Sequence, residues 1–127
     1  MINPETIIYK NKNSFMKQLF AIPLENGRLC SHFGHCQQFS LIEVENNMIK
    51  GETLVTPPPH EPGLLPGWLA ERGVTDVIAG GMGQRALQLF AVQNIKVNVG
   101  AQHKDPKELV TDWLKNSLVT GSNACDH

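Results

Sequence analysis

Hydrophobic and polar positions alternate along the first half of the chain in blocks of strand length. Residues 19–24 form an apolar run that ends at a turn signal, residues 25–27, and this predicts a first strand. Residues 39–55 predict a β-hairpin, because the adjacent Asn46 and Asn47 tolerate the positive φ angles of a tight turn. The prolines that follow stop the second arm, since proline cannot donate to a β-ladder.

In the second half, blocks with helical spacing alternate with short apolar blocks. The order of strand, hairpin, helix, strand, helix, strand and helix predicts an α/β fold, in which helices flank one mixed β-sheet of antiparallel and parallel strands. Gly73 predicts a helix end, and Asp105 with Pro106 predicts a helix start. The predicted helices cover residues 64–72, 84–93 and 105–118, and the predicted strands cover residues 75–79 and 95–99.

Composition divides the chain into three parts. Residues 1–15 are polar and rich in asparagine and lysine, and we expect a flexible N-terminal extension without a role in the fold. Residues 16–118 carry the periodic blocks and at this length predict a single domain. Residues 119–127 form a polar C-terminal tail that ends in a Cys-Asp-His triplet.

Charge and cysteine content argue against several classes of protein. A net charge of −1 lacks the basic excess of a nucleic-acid binder, and no apolar run reaches the length of a membrane span. Residues 1–20 lack the continuous apolar stretch of a signal peptide. Three cysteines, an odd number, indicate a reducing compartment, so we expect a cytoplasmic protein that binds neither nucleic acid nor a membrane.

The segment from Cys30 to Cys36 has the highest density of chemically active side chains. Its two thiols and two imidazoles are the soft and borderline donors that select iron, copper, zinc and metal–sulfur clusters. Gly34 lets the backbone turn sharply between His32 and His35, either of which can face a ligand. The spacing lacks the paired Cys-x2-Cys of structural zinc sites, and a loop at the core edge with both cysteines as small buried hydrophobes explains it equally well.

A second candidate is the glycine-rich turn from Gly80 to Gly83. It lies at the carboxyl end of a predicted strand and opens a predicted helix, so its backbone N–H groups and the positive helix end favour an anion. Arg85 adds a positive charge. The turn lacks the Gly-Lys-Ser/Thr of a phosphate-binding loop. The alternative is a tight strand–helix connection in which the glycines only permit close packing.

Two further segments present candidate metal ligands. His60 lies in a stiff, proline-rich loop before a helix, and Cys125 with His127 forms a pair of potential ligands near the C-terminus. A solvated loop histidine and an unstructured terminus are the plainer interpretations. No matched pair of carboxylates and no Gly-x-Ser-x-Gly elbow is present, and a nucleophilic pair of Cys36 and His60 would lack a third group. An enzyme is therefore the weaker class.

Three motifs together resemble a known family. They are Ser31-His32-Phe33-Gly34-His35-Cys36-x-x-Phe39, Gly80-Gly81-Met82-Gly83-Gln84-Arg85-Ala86 and Gly100-Ala101. In this order, over residues 16–118, the sequence resembles the dinitrogenase iron–molybdenum cofactor biosynthesis family, which includes the orange protein with its molybdenum–copper sulfide cluster. The resemblance implies a ribonuclease H-like α/β/α fold. It also implies binding and carriage of metal–sulfur clusters, without the acidic residues of true nucleases.

The residues and the resemblance support one hypothesis, the non-catalytic binding, storage or delivery of a metal–sulfur cluster. The cluster is of the iron–molybdenum cofactor, iron–sulfur or thiomolybdate type, and a monomer or homodimer exchanges it with donor and acceptor proteins. The expected cofactor contacts are Ser31, His32, Gly34, Gly81, Met82, Gly83 and Arg85. The expected metal ligands are His35, Cys36, His60, Cys125 and His127, and no catalytic residue is expected.

Two alternatives stand beside this hypothesis. The first is a simple metal-binding module, in which His35, Cys36, Cys125 and His127 close a tetrahedral zinc-type site. The second is a thiol enzyme or redox sensor that uses Cys36, which would require a lowered thiol pKa.

Overall fold

The computed structural model describes residues 17–59 and 61–121, which form one mixed α/β domain. The predicted extension over residues 1–15, His60, and the Cys125 to His127 end of the tail lie outside the described residues. The strands are β1 (Lys17–Glu25), β2 (Arg28–Leu29), β3 (Gln38–Glu45), β4 (Met48–Val55), β5 (Asp76–Ile78) and β6 (Lys96–Asn98). The helices are α1 (Leu64–Glu71), α2 (Gln84–Val92) and α3 (Pro106–Leu114), and a 3₁₀ helix covers Phe33–His35.

The six strands of the described chain form one sheet in the order β4-β3-β1-β5-β6, with the short β2 paired to the end of β1. The pairs β1–β3 and β3–β4 are antiparallel, whereas β1–β5 and β5–β6 are parallel. The predicted mixed sheet is therefore confirmed. The carboxyl ends of the three parallel strands meet at one edge, and the loops that follow them lie side by side.

Helices cover both faces of the sheet because successive side chains of a strand point to opposite faces. On β1, Phe20 and Ile22 are fully buried in a core cluster with Leu109 of α3. The intervening Ala21 belongs to the second cluster, which contains Phe90 of α2 and buried residues of α1. The helices thus flank the sheet in three layers, as the element order predicts.

Most predicted elements are present, with ends that differ by a few residues. Asn46 and Asn47 have φ angles of 53° and 65°, which the predicted hairpin turn requires. Asp105 caps α3 with its side chain. The predicted end of α3 is wrong, because the helix stops at Leu114 and Asn116 adopts a left-handed φ of 59°. Neither β2 nor the 3₁₀ helix was predicted, since two or three residues carry no readable periodicity.

One backbone contact joins the two loops that the sequence singles out. A parallel β-bridge pairs His32 with Gly81. The N–H of Gly81 donates to the carbonyl oxygen of Ser31 at 2.7 Å, and the N–H of Phe33 donates to the carbonyl oxygen of Gly81 at 2.9 Å. The cysteine–histidine loop is therefore held directly against the glycine-rich turn.

Gly80 is the residue that permits this approach. A Cβ atom at this position would lie 3.0 Å from the carbonyl oxygen of Ser31 and 3.1 Å from that of Cys30. Both neighbours are backbone atoms, which cannot rotate away as a flexible side chain can. The close packing that was the alternative interpretation of the glycine-rich turn is thus observed at Gly80, a position that was not among the predicted site residues.

We predict that Gly80→Ala moves the loop and lowers the free energy of unfolding by about 1–2 kcal/mol, because the added methyl group overpacks a backbone contact. Amide hydrogen exchange at Phe33 and Gly81 should accelerate more than exchange elsewhere in the sheet. Gly51→Ala on β4 is the control, since a Cβ there meets no atom within 4 Å. Equal stability and equal exchange in the two variants would show that the loop does not depend on Gly80.

Candidate functional site

A cleft of about 400 Å³ opens at the carboxyl edge of the sheet. One wall is the 3₁₀ helix with the preceding His32, and the other walls are the amino-terminal ends of α1 and α2. Six of the predicted site residues line it: His32, Gly34, His35, Met82, Gly83 and Arg85. The structure therefore brings the cysteine–histidine loop and the glycine-rich turn to a shared cleft.

The remaining lining residues come mainly from the segment that enters α1 and from α2. They are Phe33, Glu61, Pro62, Gly63, Leu65, Pro66, Ala86 and Leu89. In the proline-rich loop before α1, the sequence pointed only to the histidine as a candidate. The apolar residues of α1 and α2 were predicted simply as helix faces, and no sequence signal distinguishes a cleft wall from a core contact at those positions.

Two helix amino termini and a guanidinium give the cleft a positive potential. α2 begins after Gly83, which has no side-chain capping bond, and α1 begins after Gly63. Neither helix has an acidic residue in its first turn, so no carboxylate there offsets the positive end of the helix dipole. An Nη atom of Arg85 reaches within 4.0 Å of the place that a Gly63 Cβ would occupy. Among the described lining residues, Glu61 contributes the only carboxylate.

Phe33 anchors the 3₁₀ helix between the two histidines. Its side chain is 5% exposed, and its ring lies 5.4 Å from that of Phe90 and 5.7 Å from that of Phe39. Phe33 therefore anchors the cysteine–histidine loop in the core. Because Phe33 points inward, His32 and His35 remain exposed and both line the cleft.

The two cysteines of the loop have different environments. Cys30 is 1% exposed, and its thiol donates to the carbonyl oxygen of His32 at 3.0 Å. It therefore fits the interpretation of a small buried hydrophobe. Cys36 is half-buried and opens instead into a neighbouring crevice of about 60 Å³, walled by Pro57, Pro58 and Pro59. Gly34 lines both cavities, so the crevice adjoins the cleft.

The other predicted site residues do not line the cleft or lie outside the described residues. Ser31 is exposed and joins the site through its backbone bond to Gly81. His60, Cys125 and His127 lie outside the described residues. Within the part of the chain that the structure describes, no group of three or more His, Cys, Asp and Glu side chains is placed to hold a metal ion.

The pKa of the Cys36 thiol is raised from its ordinary value of 9.0 to about 11. Burial is the main cause, because it disfavours the charged thiolate, and the nearby Cys30 adds a smaller effect in the same direction. The thiol is therefore protonated near neutral pH. This contradicts the lowered pKa that a nucleophilic or redox-active Cys36 would require.

The raised pKa predicts a pH dependence of stability. Below pH 9 the thiol is neutral in both the folded and the unfolded chain, so the stability gained by burying the neutral thiol is fully present. As pH rises from 9.0 to about 11, the unfolded chain ionises first and the free energy of unfolding falls, by at most about 1.4 kcal/mol per pH unit. In Cys36→Ala, the free energy of unfolding measured with denaturant should fall less steeply with pH across this range than in the wild type. The same pH dependence in both proteins would contradict the prediction.

Three comparisons place the chain among known proteins. The sequence profile described as "Dinitrogenase iron-molybdenum cofactor" matches residues 16–116. The uncharacterized protein MJ0580 of Methanocaldococcus jannaschii is 33% identical over 82 residues, which are 61% of this chain and 70% of that protein. The crystal structure of PH0822 superposes with a TM-score of 0.78 at 25% identity, and the match covers 84% of this chain and 96% of that one.

The apo form of the orange protein from Desulfovibrio gigas shares the fold, with a TM-score of 0.67 at 20% identity over 84% of this chain and 94% of that one. The profile match covers most of the chain, including both loops that form the cleft. The chain belongs to the dinitrogenase iron-molybdenum cofactor family.

Proposed function

We propose that this protein binds a metal–sulfur cluster as cargo, without catalysing a reaction, and passes it from a donor protein to an acceptor protein. The observation that supports this proposal best is the cleft itself. Two helix amino termini, Arg85 and two imidazoles line it, together with the buried Phe33 and Met82. Membership of the dinitrogenase iron-molybdenum cofactor family supports the same class of cargo.

The chemistry of the lining fits such a cargo. Thiometallates and iron–sulfur–molybdenum clusters carry negative charge, which helix amino termini and an arginine stabilise. Their sulfide surfaces are soft and polarizable, and the thioether of Met82 together with the side chains of Leu65 and Pro66 offers matching apolar contacts. A cleft of about 400 Å³ accommodates a compact inorganic cluster.

The small number of ligands suits transfer. His32 and His35 supply the imidazole donors that line the cleft, and neither described cysteine does so. A cluster held by four thiolates would leave slowly, whereas one held by charge, contact and one or two imidazoles can be handed on. We retain Ser31, Gly34, Gly81, Met82, Gly83 and Arg85 as proposed contacts, and His35, Cys36, His60, Cys125 and His127 as proposed ligands.

The finer parts of the assignment are proposals as well. We propose a ribonuclease H-like fold, which the antiparallel β1, β3 and β4 followed by the parallel β5 and β6 support. We propose a cytoplasmic protein with residues 16–118 as its domain, a flexible extension before it and a ligand-bearing tail after it. In this scheme the cluster, its donor and its acceptor are the partners.

The prediction for this proposal concerns Arg85. Anaerobic reconstitution with iron and sulfide, or with tetrathiomolybdate, should give a stoichiometric visible chromophore. Arg85→Gln should weaken retention of tetrathiomolybdate roughly tenfold, because one charge-assisted contact is lost. Arg72→Gln is the matched control, since the Arg72 guanidinium lies 3.8 Å over the Trp68 ring and does not line the cleft.

Two outcomes would oppose the proposal. The first is the absence of any stoichiometric chromophore under anaerobic conditions with both cargoes. The second is equal retention of tetrathiomolybdate by the two arginine variants, which would show that the cleft is not the binding site. Elemental analysis of the purified protein tests the alternative zinc-type site, because zinc retained without acid-labile sulfide would favour closure by His35, Cys36, Cys125 and His127.

A further inference from the structure

The outer edge of β4 is open in the part of the chain that the structure describes, where β4 pairs only with β3. The unpaired N–H and C=O groups of an edge strand can bond to a strand of another molecule. We propose that residues 51–55 of β4 pair in antiparallel direction with the same residues of a second copy of this chain. A two-fold axis through Thr53 then joins the two sheets into one.

The register of the sheet identifies the backbone groups of β3 that face β4. The N–H of Thr75 donates to the carbonyl oxygen of Leu19 at 2.9 Å, so the backbone groups of Leu19 point to β5 and away from β3. Leu19 lies opposite Glu43 in the antiparallel pair of β1 and β3. Because bonded and non-bonded pairs alternate in such a ladder, Glu43 and every second residue from it direct their backbone groups to β4.

The same alternation decides which groups of β4 face outward. Leu41 is two residues from Glu43 and lies opposite Thr53, so Thr53 bonds to β3. Glu52 and Leu54, on either side of Thr53, therefore direct their N–H and C=O groups to the open edge. These are the groups that a second strand would bond.

Two features confine the pairing to residues 51–55. The register of β3 and β4 shifts between Glu43 and Val44, which leaves Lys50 as the extra residue of a β-bulge. A bulge and an edge lysine both oppose pairing, and the prolines at positions 57–59 cannot donate. The stretch from 51 to 55 contains neither lysine nor proline and continues the ladder without a shift.

This stretch is self-complementary about Thr53. Glu52 lies opposite Leu54 of the second copy, and because both face outward, the pair can exchange both of its backbone hydrogen bonds. Val55 lies opposite Gly51 of the second copy, where a Cβ atom would meet nothing within 4 Å. Thr53 meets Thr53 of the second copy, and threonine pairs stabilise antiparallel strands.

The position of the axis follows from the ends of the stretch. An axis through Leu54 would pair Glu52 with Thr56, which lies beyond the end of β4. An axis through Glu52 would place two carboxylates opposite each other and would pair Leu54 with the bulged Lys50. With Thr53 at the centre, every paired residue lies within 51–55.

The cleft of each copy stays open in such a dimer. β1 and β4 run in the same direction, because each is antiparallel to β3. The edge of the sheet that carries the cleft is therefore also the edge at which β4 ends. The two-fold axis then places the two clefts at opposite edges of the joined sheet.

Disulfide trapping tests the register. In the full-length chain carrying Cys125→Ser, Thr53→Cys should form a disulfide-linked dimer under copper–phenanthroline oxidation. Opposite residues of a non-bonded pair have Cα atoms about 4.5 Å apart, which is within disulfide range. Leu54→Cys is the matched control, since Leu54 is 56% exposed but lies opposite Glu52 of the second copy. It should cross-link roughly tenfold more slowly, and equal rates, or faster cross-linking of Leu54→Cys, would overturn the pairing.

Sedimentation of the protein without added cysteines tests the hydrogen bonds. The wild type should form a concentration-dependent dimer, as expected of an interface below the standard size. Leu54→Pro removes only an outward-facing N–H, so it should fold, as circular dichroism would verify, and stay monomeric. A wild type that is monomeric at all concentrations, or a dimer that persists in Leu54→Pro, would overturn the proposal. Neither measurement involves the sulfide cargo, so the result is independent of the proposed function.

Discussion

The candidate site depends on the parallel bridge between His32 and Gly81. Its two hydrogen bonds, at 2.7 and 2.9 Å, contribute only about 1 kcal/mol each. Their larger effect is positional, because they fix the cysteine–histidine loop against the turn that opens α2. Gly80 makes the bridge possible, since a Cβ there would approach two backbone oxygens at 3.0 and 3.1 Å. The lack of a side chain at Gly80 therefore permits the loop position in which both imidazoles line the cleft.

Burial separates the potential metal ligands of this short loop into buried or half-buried thiols and exposed imidazoles. Cys30 and Phe33 enter the core, and Cys36 is half-buried beside the prolines. His32 and His35 stay exposed on the cleft side. A loop with so many potential ligands therefore presents mainly nitrogen donors to the cleft. The buried positions suit neutral thiols, because a neutral thiol is tolerated there where a thiolate is not.

Local sequence patterns predicted the helices and strands, whereas contacts between distant segments set the positions of the site residues. The asparagine pair at residues 46 and 47 and the Asp105 cap act within a few residues, so the sequence indicated them correctly. The placement of Cys36 depends on an irregular loop meeting a proline-rich segment some twenty residues further along. No periodicity specifies such an orientation. Close packing was an alternative for the whole glycine-rich turn, but the sequence did not single out Gly80, because the contact that requires it comes from a backbone distant in sequence.

The protonated state of Cys36 fits the proposed cargo better than a thiolate would. An anionic cluster is attracted by the ends of α1 and α2 and by Arg85, and a fixed thiolate beside the cleft would oppose that attraction. The Cys36 thiol is neutral near pH 7 even at its ordinary pKa of 9.0, and burial, which raises this pKa to about 11, extends the neutral state into the alkaline range. Removal of the Cys36 proton would require a bound metal ion to lower the thiol pKa. Direct ligation by Cys36 would therefore follow binding of the cargo, and the positive potential of the cleft would drive the first encounter.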